Sequence, residues 1–217
     1  MPVLAEQLVP PDSQSTLLSP ISWQTYESLL KDLNGESRVR LIYHQGNLEI
    51  VMSPLLPLHE ICSTLIHNFI IILGDELNMD IGSLGSTTLH RQDLQGGLEP
   101  DKSYYIQHEA LVRDKQEFDL TQLPPPDLVV EVDITSLSLK KLPIYLALGV
   151  PEIWRYYENN LSIYQLTHND YFLREVSSTF RNLPIPTVIL QLINRRFQMG
   201  ERKVLSEFRQ WVKVQTS

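Results

Sequence analysis

The chain has 217 residues, 42% of them hydrophobic and 20% charged, the proportions of an ordinary globular protein with one sizeable core rather than a disordered chain. A single cysteine, Cys62, excludes an internal disulfide framework and a cysteine-rich zinc site. The formal net charge of −8 argues against a strong non-specific nucleic-acid binder, because phosphate binding rests on cations. A protein of this balance that acts on DNA needs a local basic face, or metal ions that offset its own carboxylates.

Residues 1 to about 20, with Pro10, Pro11 and Pro20 among serines and glutamines, read as a flexible lead to one domain over 21–213. No early basic segment precedes an apolar run, so a signal peptide is not expected and a cytoplasmic location is. The apolar stretch near Phe69 to Leu73 is too short to span a bilayer. Ser22 is placed to cap a first helix that carries Trp23, Tyr26, Leu30 and Leu33 on one face, with Gly35 past its end. Val39, Leu41 and Tyr43 then alternate with Arg38, Arg40 and Ile42. After the turn at Gln45-Gly46-Asn47, Leu48, Ile50 and Met52 alternate with Glu49 and Val51, which predicts a β-hairpin. Pro54 and Pro57 break the chain. His59 to Leu77 has helical spacing, with Ile61, Leu65, Phe69, Ile72 and Leu73 as its core stripe and Cys62 as a buried thiol.

Glycines 82, 85, 96 and 97 mark turns around a short strand at Thr87 to Leu89. A strand at Ser103 to Gln107 and a polar loop over 108–123 follow. Pro124-Pro125-Pro126 leads into Asp127-Leu-Val-Val-Glu-Val-Asp-Ile134, a β-branched run suited to a buried central strand, with Asp127 as a turn residue before it. A helix is expected from about Ser138 to Leu148, stopped by Gly149 and Pro151 and interrupted or started by Pro143. Glu152 to Tyr157 reads as a strand. Leu161 to Leu166 and Tyr171 to Val176 read as a hairpin around His168-Asn169-Asp170. Two helices, about Thr187 to Arg196 and Lys203 to Val212, complete the chain. This order argues for an α/β (α+β) fold, a mixed sheet flanked by helices, with an N-terminal helix and hairpin.

The chemistry concentrates between Asp101 and Lys141. Asp101 follows Pro100 at the entrance to one strand, and Glu131 and Asp133 stand two apart on another, hence on the same face. An acidic pair in an apolar strand is costly unless it is ion-paired or binds a cation. Mg²⁺ and Mn²⁺ prefer such oxygen ligands and can activate water and neutralise charge on a phosphate. Taken alone, the alternation is a weak signal, since an acidic residue at a strand end is more often solvated or salt-bridged. His67 and His168 lack metal-site spacing, and Tyr145 and Trp154 are expected to pack in the core. Arg38, Arg40, Arg91 and Lys102 form a basic rim or stand as separate surface charges.

The segments Glu99-Pro-Asp-Lys-Ser-Tyr-Tyr-Ile106, Pro126-Asp-Leu-Val-Val-Glu-Val-Asp-Ile-Thr-Ser136 and Lys141-Leu-Pro-Ile-Tyr-Leu-Ala-Leu-Gly-Val-Pro-Glu-Ile-Trp154 carry a resemblance. So does Leu41-Ile-Tyr-His-Gln-Gly-Asn-Leu-Glu-Ile-Val-Met-Ser-Pro54, followed by His59. In this order they resemble the Uma2 family (DUF820) of the PD-(D/E)XK nuclease superfamily, over roughly residues 20 to 195. The resemblance implies a restriction-endonuclease-like core in which Asp101 and Glu131 are metal ligands and the carbonyl of Val132 is a third. Where the usual pattern has a lysine two residues after the glutamate, this chain has Asp133. The resemblance then points to a lysine from the next helix, Lys141 first and Lys140 second, to orient the attacking water and stabilise developing charge. Asp133 adds a ligand or holds that lysine. Glu49 and His59 match further positions of the family pattern, and for His59 capping or solvation of the helix start is the simpler expectation.

The function so implied is a Mg²⁺- or Mn²⁺-dependent endonuclease with DNA as substrate and a homodimer as its working form. A non-catalytic nucleic-acid- or protein-binding module that keeps the fold is the alternative, favoured by the acidic balance and by Asp133. A glycosidase using paired acids is a third, and the apolar strand around Glu131 suits a metal better.

Overall fold

A computed structural model describes residues 14–33, 39–52, 56–133, 141–181 and 183–216. Gly35, Arg38, Pro54, Ser136, Ser138 and Lys140 lie outside these residues. The chain order is β1 (Gln14–Leu18), α1 (Trp23–Asp32), β2 (Val39–His44), β3 (Asn47–Met52), α2 (Pro57–Leu77), β4 (Gly82–Gly85), β5 (Leu89–Arg91) and β6 (Gly96–Leu98). There follow β7 (Lys102–Tyr105), α3 (Glu109–Val112), β8 (Leu128–Asp133), α4 (Leu142–Leu148), β9 (Glu152–Tyr157), β10 (Asn160–Thr167), β11 (Asp170–Arg174), α5 (Ile185–Met199) and α6 (Glu201–Thr216).

Local chemistry accounts for most of these boundaries. The Ser22 side chain accepts the N–H of Thr25 at 3.2 Å and caps α1, satisfying one of the donors a helix start leaves open. Gln45 and Gly46 both have positive φ (48° and 82°), the backbone a two-residue hairpin turn requires, and β2 and β3 pair on either side of it. Helix α2 starts with Pro57 in its first turn and ends on Asn78 in the left-handed region. The expectation of a flexible lead to about residue 20 is corrected over its last part. Gln14–Leu18 forms an antiparallel strand on β3, with Leu18 opposite Leu48, because the outer edge of β3 offers unpaired backbone groups. The polar segment 108–123, expected as loop, contains the single turn of α3.

Two sheets result. One has the order β1-β3-β2-β6-β5, the other β11-β10-β9-β8-β7-β4. In the second, β8 and β9 run parallel, with Glu131 beside Arg155 and Asp133 beside Tyr157, and every residue of β8 is buried. One face of this sheet carries Leu128, Val130, Val132, Trp154 and Tyr156 into the main core, against α2, α5 and α6. The other face carries Val129 and Ile153 into a second cluster with Ile144, Tyr145 and Leu148 of α4, and with Leu89 and Leu98 of the first sheet. Helix α4 therefore joins the two sheets. A third cluster packs Trp23 and Tyr26 of α1 on Leu41, Tyr43 and Leu48 of the hairpin. Close approach there requires Gly97: a Cβ at that position would lie 2.2 Å from Tyr26 Oη.

The 21 residues of α2 are long and apolar enough, by length and composition, to cross a bilayer. That exceeds the short stretch expected from the sequence. Its apolar face, including Leu65, Phe69 and Leu73, is packed inside the protein.

Candidate active site

The site forms where β7 begins and β8 ends. Asp101, just before β7, is 5% exposed. Its Oδ2 accepts the main-chain N–H of Val132 at 2.7 Å. Its Oδ1 is bonded to Arg40 Nη1 and lies 3.2 Å from His59 Nε2. Burial works against ionisation of Asp101, but the bond from His59 and the charges of Arg40 and Lys141 outweigh it and hold the carboxyl well below the usual carboxylate range. Burial likewise disfavours a charged His59, and the Asp101 contact overcomes it, so the imidazole pKa is raised. His59 also bonds Glu60 at 3.0 Å through Nδ1. The simpler expectation for His59, capping or solvation, is thereby corrected: it is a partner of Asp101.

Glu131 projects from the α4 face of β8 and is 1% exposed. The Nζ of Lys141 donates to both of its carboxylate oxygens, at 2.7 and 2.9 Å, and Tyr145 Oη donates to Oε1. Lys141 stands at the start of α4 and Tyr145 four residues on, which places both on one face of the helix. Lys141 Nζ also reaches the carbonyl of Glu99 at 3.5 Å. Burial lifts the Glu131 carboxyl to about 7; Lys141 opposes this and the charge of Asp101 adds to it. Asp101 and Glu131 thus feel one another, and Lys141 acts on both. Burial and the neighbouring Glu131 keep the Tyr145 phenol protonated well past its ordinary range, so it remains a donor.

Asp133 is tied sideways. Its Oδ2 accepts Arg155 Nε at 2.6 Å, and the Arg155 guanidinium lies 4.5 Å from the centre of the Tyr157 ring. Glu49 lies on β3 opposite Ile42. Alternation puts it on the same face of the hairpin as Ile42 and Arg40, the face that packs toward α4. Of the expected basic rim, Arg40 belongs to the site, Arg91 is paired locally with Asp93 at 2.5 Å, and Lys102 opens β7. Asp127 has a turn role, accepting the N–H groups of Ile106 and His108 at 2.7 and 3.0 Å. His67 bonds Tyr104 Oη at 3.1 Å, and Cys62 is buried.

Three contributors escaped the sequence reading: Arg40 as a partner of Asp101, Tyr145 as more than a core residue, and Arg155. Only Tyr145 left a local signal, the four-residue spacing from Lys141. Among the described residues no group of three or more His, Cys, Asp and Glu side chains could hold a metal ion. Two carboxylates and a main-chain carbonyl nevertheless suit a hard divalent cation that keeps several waters. Asp101, Glu131 and the Val132 carbonyl are of that donor type, with protein donors now on both carboxylates.

A family model described as "Uma2: Putative restriction endonuclease" matches residues 23–196. Among solved structures, the chain is similar to one described as "a putative nuclease belonging to DUF820" from Anabaena variabilis. The two are 14% identical, the match covers 69% of this chain and 88% of that one, and the TM-score is 0.50. At that identity the likeness speaks for the fold. No curated protein matches the sequence. The motif-bearing strands and the helix that follows them lie within the matched span, and the chain belongs to the Uma2 family.

Proposed function

We propose that this protein is a divalent-metal-dependent endonuclease that hydrolyses DNA phosphodiester bonds, with Asp101, Glu131 and the Val132 carbonyl as ligands of Mg²⁺ or Mn²⁺. The observation that carries this reading is the reach of Lys141, from the helix after β8, to Glu131 at 2.7 Å, beside a second buried carboxylate on the neighbouring strand. It supports Lys141 in the role left open by Asp133, which stands where the usual pattern has a lysine.

A divalent ion bound there supplies positive charge to a phosphate and acidifies a water. The chain's own residues do the rest. The Val132 N–H and Tyr145 Oη orient the two carboxylates. Lys141 is placed to orient the attacking water and to stabilise negative charge as it builds on the phosphate. Asp133 holds Arg155 at the end of β8, and Glu49 lies on the same face of the hairpin as Arg40. The surroundings also bear on the charge objection. In a chain of net charge −8, Arg40, His59 and Lys141 converge on one sheet end.

Supercoiled plasmid incubated with Mg²⁺ or Mn²⁺ is expected to be nicked or linearised, with EDTA and Asp101→Asn each suppressing the reaction. A second reading, a DNA- or protein-binding module that keeps the fold, is favoured by one observation: protein donors already engage both carboxylates. Folded wild-type protein that binds duplex DNA but leaves it intact with every metal, over varied substrates, would decide for that module.

A further inference from the structure

The two oxygens of Asp101 are held in different ways. Oδ2 is bonded by the strand itself, through the Val132 N–H. Oδ1 is held by Arg40 and His59, side chains from β2 and from the start of α2, two elements on different sides of the site. These side chains keep 23% and 20% of their surface exposed, against 3% for Asp101. A carboxylate oxygen offers about two lone-pair directions; Arg40 takes one on Oδ1, and His59 Nε2 stands 3.2 Å from the same oxygen. A divalent cation approaching Asp101 from this open side has to take one of those places. Two positive groups on one oxygen in a partly desolvated site repel each other. Lys141 differs: its side chain is 9% exposed and seated on both oxygens of Glu131.

We propose that Arg40 and His59 are exchangeable partners of Asp101, which hold its carboxylate in place until a divalent cation displaces them, and which then bind the phosphate of the DNA strand lying over the site. This rests on the nuclease reading above and assigns its phosphate-binding residues. The planar fork of Arg40 matches two phosphate oxygens. His59, at the first turn of α2, brings a second donor from another element. The exchange makes and breaks only hydrogen bonds and ion pairs.

Mn²⁺ titrated calorimetrically into the full-length protein without DNA reads the first half of the exchange. Arg40→Gln removes a competing charge and is expected to tighten Mn²⁺ binding about ten-fold; His59→Gln should tighten it less, and Arg40→Lys, which keeps the charge, hardly at all. A duplex of about 20 base pairs, titrated at several salt concentrations in EDTA, reads the second half. There Arg40→Gln should weaken binding and reduce the slope of log K against log salt by about 0.9, the share of one phosphate contact. Mn²⁺ affinity unchanged or weakened in both glutamine variants overturns the proposal and leaves Arg40 and His59 as plain supports of Asp101. An unchanged salt slope also overturns it. In either case metal-dependent cleavage by the wild type keeps the nuclease reading. Wild-type protein that binds no Mn²⁺ overturns both. Should Arg40→Gln fail to fold, His59→Gln carries the same pair of measurements.

Discussion

Two buried glutamates, Glu131 on β8 and Glu152 on the adjacent β9, are held by opposite means. Glu152, with no exposed surface, accepts neutral donors among the described residues: Trp154 Nε1 at 2.7 Å, Ser177 Oγ at 2.5 Å, Ser178 Oγ at 2.8 Å and the Thr179 N–H at 3.1 Å. These four bonds fill its oxygens and tie the segment before α5 to the sheet. Glu131 is held by an ammonium and a phenol, and the nearby Asp101 by a guanidinium, an imidazole and one amide. Neutral donors from neighbouring backbone and hydroxyls make a carboxylate part of the scaffold. Cationic side chains from separate elements instead set Asp101 and Glu131 in a charged cluster where the two sheets meet.

The comparison breaks if the wrong glutamate matters. Asp101→Asn or Glu131→Gln should lower the cleavage rate by about a thousand-fold or more, roughly 4 kcal/mol of barrier. Plasmid nicking by folded protein reads this, and near-normal nicking by either variant would remove the site. Glu152→Ala should cost about 3–5 kcal/mol of stability, since it leaves several buried donors without an acceptor. Urea unfolding measures the loss, and the fraction still folded should cleave at the wild-type rate. Lys141→Met should slow cleavage by about 10²–10³-fold and also destabilise the protein, because it strands a buried charge on Glu131. Adding Glu131→Gln to Lys141→Met should restore part of that stability and none of the activity. A double variant less stable than Lys141→Met would mean that the pair is not coupled.

The smallest effect lies outside both groups and calibrates them against pH. Burial, with Lys102 adding to it, lowers the pKa of His67. The folded protein therefore binds fewer protons here than the unfolded chain. This contribution to stability is present above the unfolded value of about 6.5 and is lost as pH falls through the folded one. Between pH 8 and 5, His67→Gln should lose less stability than the wild type. Parallel urea midpoints across that range would contradict it.

Much of this arrangement was legible because it is written in short periods. The apolar run around Glu131, the hairpin with Glu49 on its polar face and the spacing from Glu131 to Lys141 follow from alternation, turn chemistry and reach. What could not be read depends on pairings far apart in the chain. Arg40 meets Asp101 across 61 residues, and alternation says only which face of β2 it leaves. Asp133 looked like a candidate ligand or a holder of the lysine. Its bond to Arg155 follows from the parallel pairing of β8 and β9, which no local pattern encodes. The strand at Gln14–Leu18 was missed for the same reason: its partner edge exists only once the hairpin has formed.

Antiparallel pairing of β7 and β8 puts Lys102 opposite Val130, so the next rungs of the ladder would fall to Asp101 and Pro100. A carboxylate takes up the Val132 amide instead of main chain, and Asp101 becomes the closing clasp of the sheet. Inserting one residue between Asp101 and Tyr105 would unfasten the clasp and swing the acid off the centre, even if both strands survived.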